Sequence, residues 1–172
     1  MEEMSLYVED LKNAPKKGTD LAVGWDVKAT RVLKVYKGSV ETTGEKLNKI
    51  QESFEKRGKL KLRPHERVLF GTGVYADLPN NVEIQVRNRS GLSLKQGLLV
   101  SPGTVDPDYR GEIGVTLINT TPFLNEVQLN ERVAQLVPQE ILQIETYILP
   151  KSSMKTQETE RGDKGFGSTG KQ

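Results

Sequence analysis

Short runs that alternate apolar and polar side chains, each closed by a turn residue, occupy most of this chain. NVEIQVRNR alternates Val82, Ile84 and Val86 with Glu83, Gln85 and Arg87. A period of two sends one set of side chains to a core and the other to water, as in a half-buried strand. EIGVTLIN repeats the pattern with Ile113, Val115 and Leu117 on one face. RVLKVYKG and ERVLFGTGVYADLP are rich in β-formers and end at Gly or Pro, and RVAQLVPQEILQIETYILP continues in the same style. GTG, LPNN, SPG and TTP supply turns between them. Many short strands punctuated in this way restrict the chain to an all-β antiparallel sandwich, jelly roll or small barrel.

One segment departs from that pattern. In ETTGEKLNKIQESFEKRGK, Leu47, Ile50 and Phe54 share a helical face among Glu and Lys, and Gly58 supplies a stop. The expectation is one short amphipathic helix inserted within about residues 40–60. It would rest on the β scaffold or a neighbouring subunit, or serve as the contact for a protein partner. After Pro150 the chain reads KSSMKTQETERGDKGFGSTGKQ, with too little apolar surface to offset its ordering entropy. The expected division is a β domain over residues 1–150 and a flexible C-terminal arm over 151–172.

Composition narrows the function classes. The 25 Lys and Arg nearly balance the 23 Asp and Glu, for a net charge of +2, and no basic block is present. Neither nucleic acid nor a membrane surface is an expected partner. There is no Cys and a single His, His65, which excludes disulfides, thiolate-bound metal and a histidine cluster. No apolar run approaches the ~20 residues of a membrane span. The start, MEEMSLYVEDLKNAPKKG, lacks the apolar core of a secretory signal. The expected location is the cytoplasm, or the host cytoplasm should the chain be phage-encoded.

Three further stretches carry chemistry. Arg89-Ser90-Gly91 directly follows a strand, and exposed N–H groups beside a hydroxyl and a guanidinium suit phosphate oxygens, although Ser-Gly there also reads as a plain turn. VSPGTVDPDYRGEIGV crowds Asp106, Asp108, Tyr109 and Arg110. It reads as a hairpin with a wide tip, whose unpaired backbone groups a planar base could complete, or as a solvated acidic turn. Gln135 interrupts an apolar strand and shares a face with Val133 and Val137, so its amide points to solvent or meets a partner.

In this order, the stretches resemble the five motifs of the trimeric dUTPase family: VGWDVKA, RSGLSLKQG, GTVDPDYRGEIGVTLIN, NERVAQLV and RGDKGFGSTG. The third and fifth are long and specific. The resemblance spans roughly residues 20–37 and 62–170. Three departures stand out. The fourth motif begins Asn130-Glu131 where the family has Gly-Asp, Val100 stands where some members carry Asn, and the helical insertion is not part of the common pattern.

The resemblance implies a jelly-roll homotrimer that hydrolyses dUTP to dUMP and pyrophosphate with Mg²⁺, at sites shared between subunits. Asp106 would be the general base, with Asp108 the less favoured neighbour. Tyr109 would pack under the deoxyribose and reject a 2′-hydroxyl. Backbone around Val100, Gly103, Thr104, Val105 and Gly114 would read uracil. Arg89, Ser90, Gly91 and Gln135 would hold the phosphates, and Asp26 would touch the metal through water. In the arm, Arg161 would meet the γ-phosphate, Phe166 would stack on the base, and Gly167, Ser168 and Thr169 would wrap the triphosphate. A dCTP deaminase of the same fold and a regulatory, protein-binding use of the fold are the alternatives.

Overall fold

The computed structural model describes residues 3–154. Compact packing extends to Leu142. Two five-stranded sheets carry most of the strands, and every pairing is antiparallel. In chain order the strands are β1 Ser5–Val8, β2 Lys16–Lys17, β3 Trp25–Lys28, β4 Arg31–Lys37, β5 Val40–Thr42, β6 Lys59–Leu62, β7 Glu66–Gly71, β8 Val74–Asp77, β9 Val82–Arg87, β10 Leu98–Val100, β11 Gly103–Val105, β12 Gly114–Asn119, β13 Asn125–Gln128 and β14 Arg132–Glu140. One sheet runs β10-β12-β7-β4-β5 and the other β11-β9-β14-β3-β2, with two-stranded ribbons β1-β8 and β13-β6 beside them.

The alternating residues read from the sequence form the core. Ile84, Ile113, Val115, Leu117, Val133 and Leu136 are buried in one cluster drawn from both sheets. Polar groups caught inside are partnered: Thr72 Oγ1 donates to the Ile113 carbonyl at 2.5 Å, and Asn119 Nδ2 donates to the Leu62 carbonyl at 3.0 Å.

The inserted helix is α1, Gly44–Arg57, and Gly58 closes it in the left-handed conformation at φ 67°. Its apolar stripe is spent within the chain. Phe54 is fully buried against Phe70, ring centroids 5.8 Å apart, and Leu47 and Ile50 pack on the same core. Gln51 adds a polar tie, its Oε1 accepting the Val32 N–H at 2.5 Å where β4 changes register.

The structure differs from the sequence reading in three places. A second helix, α2, spans Ser90–Gln96, where a turn after β9 was expected. Leu92 is its one buried residue, so no apolar stripe announced it. The wide-tipped hairpin exists only as a stem: β10 pairs with β12, but after Ser101 the chain crosses over and β11 joins β9 in the other sheet. β14 stops at Glu140, opposite Val82 at the start of β9, because its ladder partner ends there.

Asn130 explains one departure from the fourth motif. It sits at φ 62°, in the left-handed region that favours Gly and, next to it, Asn. Asn therefore makes the turn into β14 that the family makes with Gly, and Glu131 Oε2 accepts the Gln128 N–H at 2.8 Å within it.

Candidate active site

The expected site residues fall into two groups. The first is built on β3, β9, β14 and α2. Asp26 lies in β3 directly opposite Gln135 of β14, which in turn faces Arg87 of β9. Asp26 is only 6% exposed, and its carboxylate is surrounded by donors. Arg89 Nε lies 3.1 Å from Oδ1, Arg132 Nη1 lies 3.1 Å from Oδ2, and Gln135 Nε2 lies 3.4 Å from Oδ1. Arg89 also donates to the Arg132 carbonyl at 2.7 Å. A buried carboxylate needs such compensation, and two guanidiniums supply it.

Gly24 packs closely on β14, since a Cβ there would come within 3.1 Å of Gln135 Cβ. Arg89 is the N-cap of α2, so Ser90 and Gly91 stand in the first turn, where helix N–H groups lack intrahelical acceptors. The Gln135 amide faces the Asp26 carboxylate rather than open solvent.

The second group lies on the turn between β11 and β12. The Tyr109 N–H donates to the Asp106 carbonyl at 3.1 Å, which closes the turn and sets both side chains on it. The Tyr109 hydroxyl donates to the Glu112 carbonyl at 2.9 Å. The ring lies so close over Gly111 that a Cβ there would collide with it. Asp106 and Tyr109 are exposed and, with Gly103, Thr104, Val105 and Gly114, line a cavity of ≈ 190 Å³. Among the described residues β11 is an edge strand, which leaves alternate backbone groups unpaired along its outer side.

Val100 lines a second cavity, of ≈ 640 Å³, with Gly103 and Thr104. Its side chain is buried, and its N–H donates to Asn88 Oδ1 at 2.6 Å. Arg161, Phe166, Gly167, Ser168 and Thr169 lie outside the described residues.

Within one chain, the turn that carries Asp106 lies apart from Asp26, Arg89 and Gln135. Gln135 stands opposite Arg87 and Val105 opposite Ile84, three residues apart on β9 and on opposite sides of it. Strand rise and strand spacing put their backbones ~14 Å apart. Asp106 then continues away from Arg89.

Arg132, Asn88, Arg31 and Glu112 had not been singled out. Arg132 had one legible signal, a cation at the first position of a strand and inside the fourth motif. The others act across 12 to 81 residues of sequence, which no local pattern encodes.

Known proteins agree with this architecture. The dUTPase family model matches residues 56–170, which leaves the first motif and nearly all of α1 outside the match. A deoxyuridine 5′-triphosphate nucleotidohydrolase of Hydrogenobaculum sp. (strain Y04AAS1) is 47% identical over 111 residues, covering 63% of this chain and 74% of that protein. One from Picosynechococcus sp. is 45% identical over 111 residues, covering 63% and 75%. Among solved structures, a variant of the dUTPase of Staphylococcus bacteriophage 80alpha with dUpNHpp matches with a TM-score of 0.71 at 19% identity, covering 99% of both chains. A dUTPase variant from phage phi11 of S. aureus, described with a structural Mg(II) ion, matches with a TM-score of 0.63 at 15% identity, covering 89% of this chain and 100% of that one. The structural matches extend the shared fold across the first motif and the inserted helix, and the sequence matches decide the family: this chain belongs to the dUTPases.

Proposed function

We infer that this chain hydrolyses dUTP to dUMP and pyrophosphate, which keeps uracil out of DNA and supplies dUMP for dTMP synthesis. The observation that carries the reading is the single turn holding Asp106 and Tyr109 beside the outer edge of β11. A water attacks the α-phosphorus in line, and its proton passes to the Asp106 carboxylate. The bond from the α-phosphorus to the α–β bridging oxygen breaks, and pyrophosphate departs with that oxygen. Positioned proton transfer of this kind contributes about 10²–10⁴-fold. The Tyr109 ring packs under the deoxyribose and leaves no room for a 2′-hydroxyl. Backbone groups of Gly103, Thr104, Val105 and Gly114 pair with uracil, and cytosine would leave buried groups unpaired.

Arg89, Gln135 and the first turn of α2 at Ser90 and Gly91 hold the phosphates and stabilise charge as pyrophosphate forms. The ~14 Å between the Gln135 and Val105 backbones supports a site shared between chains, and in the homotrimer that the family resemblance implies one chain gives Asp106 and Tyr109 and another gives Asp26, Arg89 and Gln135. Arg161, Phe166, Gly167, Ser168 and Thr169 complete the site as the family resemblance implies.

Mg²⁺ fits this chain as an ion carried by the substrate. Among the described residues no group of three or more His, Asp or Glu could hold a metal. Asp26 Oδ2 has one arginine contact and retains acceptor capacity for a metal-bound water. Bound with the triphosphate, the ion would neutralise part of its charge, and Asp26 would hold it only through water.

The test is pyrophosphate release from dUTP, dCTP, dTTP and UTP with Mg²⁺. dUTP is expected to dominate, by about 10²-fold or more where the rival leaves a polar group unpaired. Comparable rates with the others would overturn the reading, and ammonia release from dCTP would replace it with a deaminase.

A further inference from the structure

Glu112 follows the turn that carries Asp106 and Tyr109, and its side chain points away from solvent, 12% exposed. Both carboxylate oxygens are fixed. Oε2 receives Arg31 Nη2 at 2.5 Å, and Oε1 accepts the Gly73 N–H at 2.7 Å. Its backbone carbonyl accepts the Tyr109 hydroxyl at 2.9 Å. One residue therefore connects the ring over the cavity to β4 and to the turn before β8.

The connection continues outwards. Arg31 forks onto Glu9, with Nη1 to Oε2 at 2.5 Å and Nη2 to Oε1 at 3.0 Å, and the Tyr75 hydroxyl donates to the same Glu9 Oε1 at 2.8 Å. The chain also leaves room for this arrangement. A Cβ on Gly71 would fall 2.7 Å from Glu112 Oε1 and 2.8 Å from Arg31 Cγ. Gly71 is in extended β7 with no positive φ, so space rather than backbone freedom is what glycine supplies there. The backbone of the turn is fixed by Tyr109 N–H to the Asp106 carbonyl and Ile113 N–H to the Val74 carbonyl, while its other ion pair, Arg110 with Asp77 at 3.3 Å, has both side chains more than half exposed.

We propose that the Arg31–Glu112 pair is a positioning clamp for the Tyr109 ring, and that through it Glu112 and Arg31 set the discrimination between deoxyribose and ribose substrates. The proposal rests on Tyr109 being the sugar gate. A ring excludes one hydroxyl only if its height under the sugar is fixed to a few tenths of an ångström. On this exposed turn the ring packs on Gly111, which limits it from one face and leaves its hydroxyl end to be fixed by hydrogen bonding. Here its hydroxyl is tied to a carbonyl whose own side chain is pinned at both oxygens. Neither Glu112 nor Arg31 needs to touch substrate for this.

The experiment measures kcat/KM for dUTP and UTP in Glu112→Gln, Arg31→Ala, Gly71→Ala and Tyr109→Ala, and in the Glu112→Gln/Tyr109→Ala double variant. Folding of each is checked by circular dichroism and thermal melting. Tyr109→Ala should raise the UTP/dUTP ratio. Glu112→Gln, Arg31→Ala and Gly71→Ala should each raise it about three- to thirtyfold. In the Tyr109→Ala background Glu112→Gln should add nothing, because the ring it acts through is gone. If Tyr109→Ala moves the ratio but the three clamp variants lower both substrates in proportion, the pair is only structural and the clamp is wrong. A further rise in the double variant overturns it as well. An unmoved ratio in Tyr109→Ala removes the gate itself, a failure of the underlying reading. Gly71→Ala keeps both charges, so it still reports should Arg31→Ala fail to fold.

Discussion

Asp26 and Arg89 are 63 residues apart in sequence and 3.1 Å apart in space, a carboxylate oxygen facing a guanidinium nitrogen at the junction of β3 and the start of α2. The pair does two things at once. It neutralises a buried charge, and it fixes the guanidinium at the mouth of the helix turn that presents Ser90 and Gly91. Arg132 on the other carboxylate oxygen makes the arrangement a triad.

Asp26→Asn should therefore affect both stability and substrate handling. Two guanidiniums lose their counter-charge, one of them 26% and the other 54% exposed, so solvent recovers part of the loss. The expected cost is about 1–3 kcal/mol by urea denaturation. Arg89 would no longer be held in place, and kcat/KM for dUTP should fall about 10–100-fold. Arg132→Ala, which removes the more exposed partner, should cost less than about 1 kcal/mol. Equal stability in wild type and Asp26→Asn would mean that the triad contributes nothing to folding.

Asp106→Asn tests the base. The side chain is exposed and has no role in the core, so melting temperature should hold. Turnover of dUTP should fall by about two orders of magnitude or more while binding persists. A larger loss in Asp108→Asn would reassign the proton acceptor to that neighbour.

What could be read from sequence follows the range of the forces involved. β9 and β12 were legible because alternation is local and both faces report it. The end of α1 was legible because Gly58 in the left-handed conformation is a local stop. α2 was not, since seven residues with one buried leucine carry no period. The diversion of β11 to β9 was hidden as well, because partner choice is decided by the whole sheet, and Gly103 gives no sign of facing Val86. The motif residues are given their roles through resemblance alone, while the carboxylate–guanidinium pairs around them carry no local signal. Arg31 and Glu112 lie 81 residues apart, and a surface-looking charge does not announce its partner.

Glu9 gives a prediction in acid. The hydrogen bonds from Arg31, and then from Tyr75, hold its carboxyl down from the ordinary 4.5 to about 2. A lowered folded value means that the contribution is full above pH 4.5 and is lost as pH falls towards 2. Glu9 is 44% exposed, so the contribution is small, under about 1 kcal/mol. Wild type should exceed Glu9→Gln in stability at pH 6, and the gap should close between pH 4.5 and 2. A gap that persists at pH 2 would trace to packing rather than to charge.

The last prediction concerns how the two groups of site residues come together. Within one chain, Asp106 and Arg89 leave β9 towards opposite ends, one beyond the Ile84 row and the other beyond the Arg87 row. That divergence favours a site in which Arg89 of one chain holds the triphosphate while the attack takes place beside Asp106 of another. Asp106→Asn trimers and Arg89→Ala trimers should each be nearly inactive. Mixed by partial denaturation and refolding, they should regain activity, because some sites would then combine Asp106 of one chain with Arg89 of another. If each chain's site can be intact or broken only as a unit, with no subunit crossing, no mixing ratio restores turnover. Native mass spectrometry distinguishes that result from a failure to exchange, since mixed trimers are separable by the mass of the arginine side chain lost. Mixed trimers without activity would place both groups in a single chain's site and refute the shared arrangement.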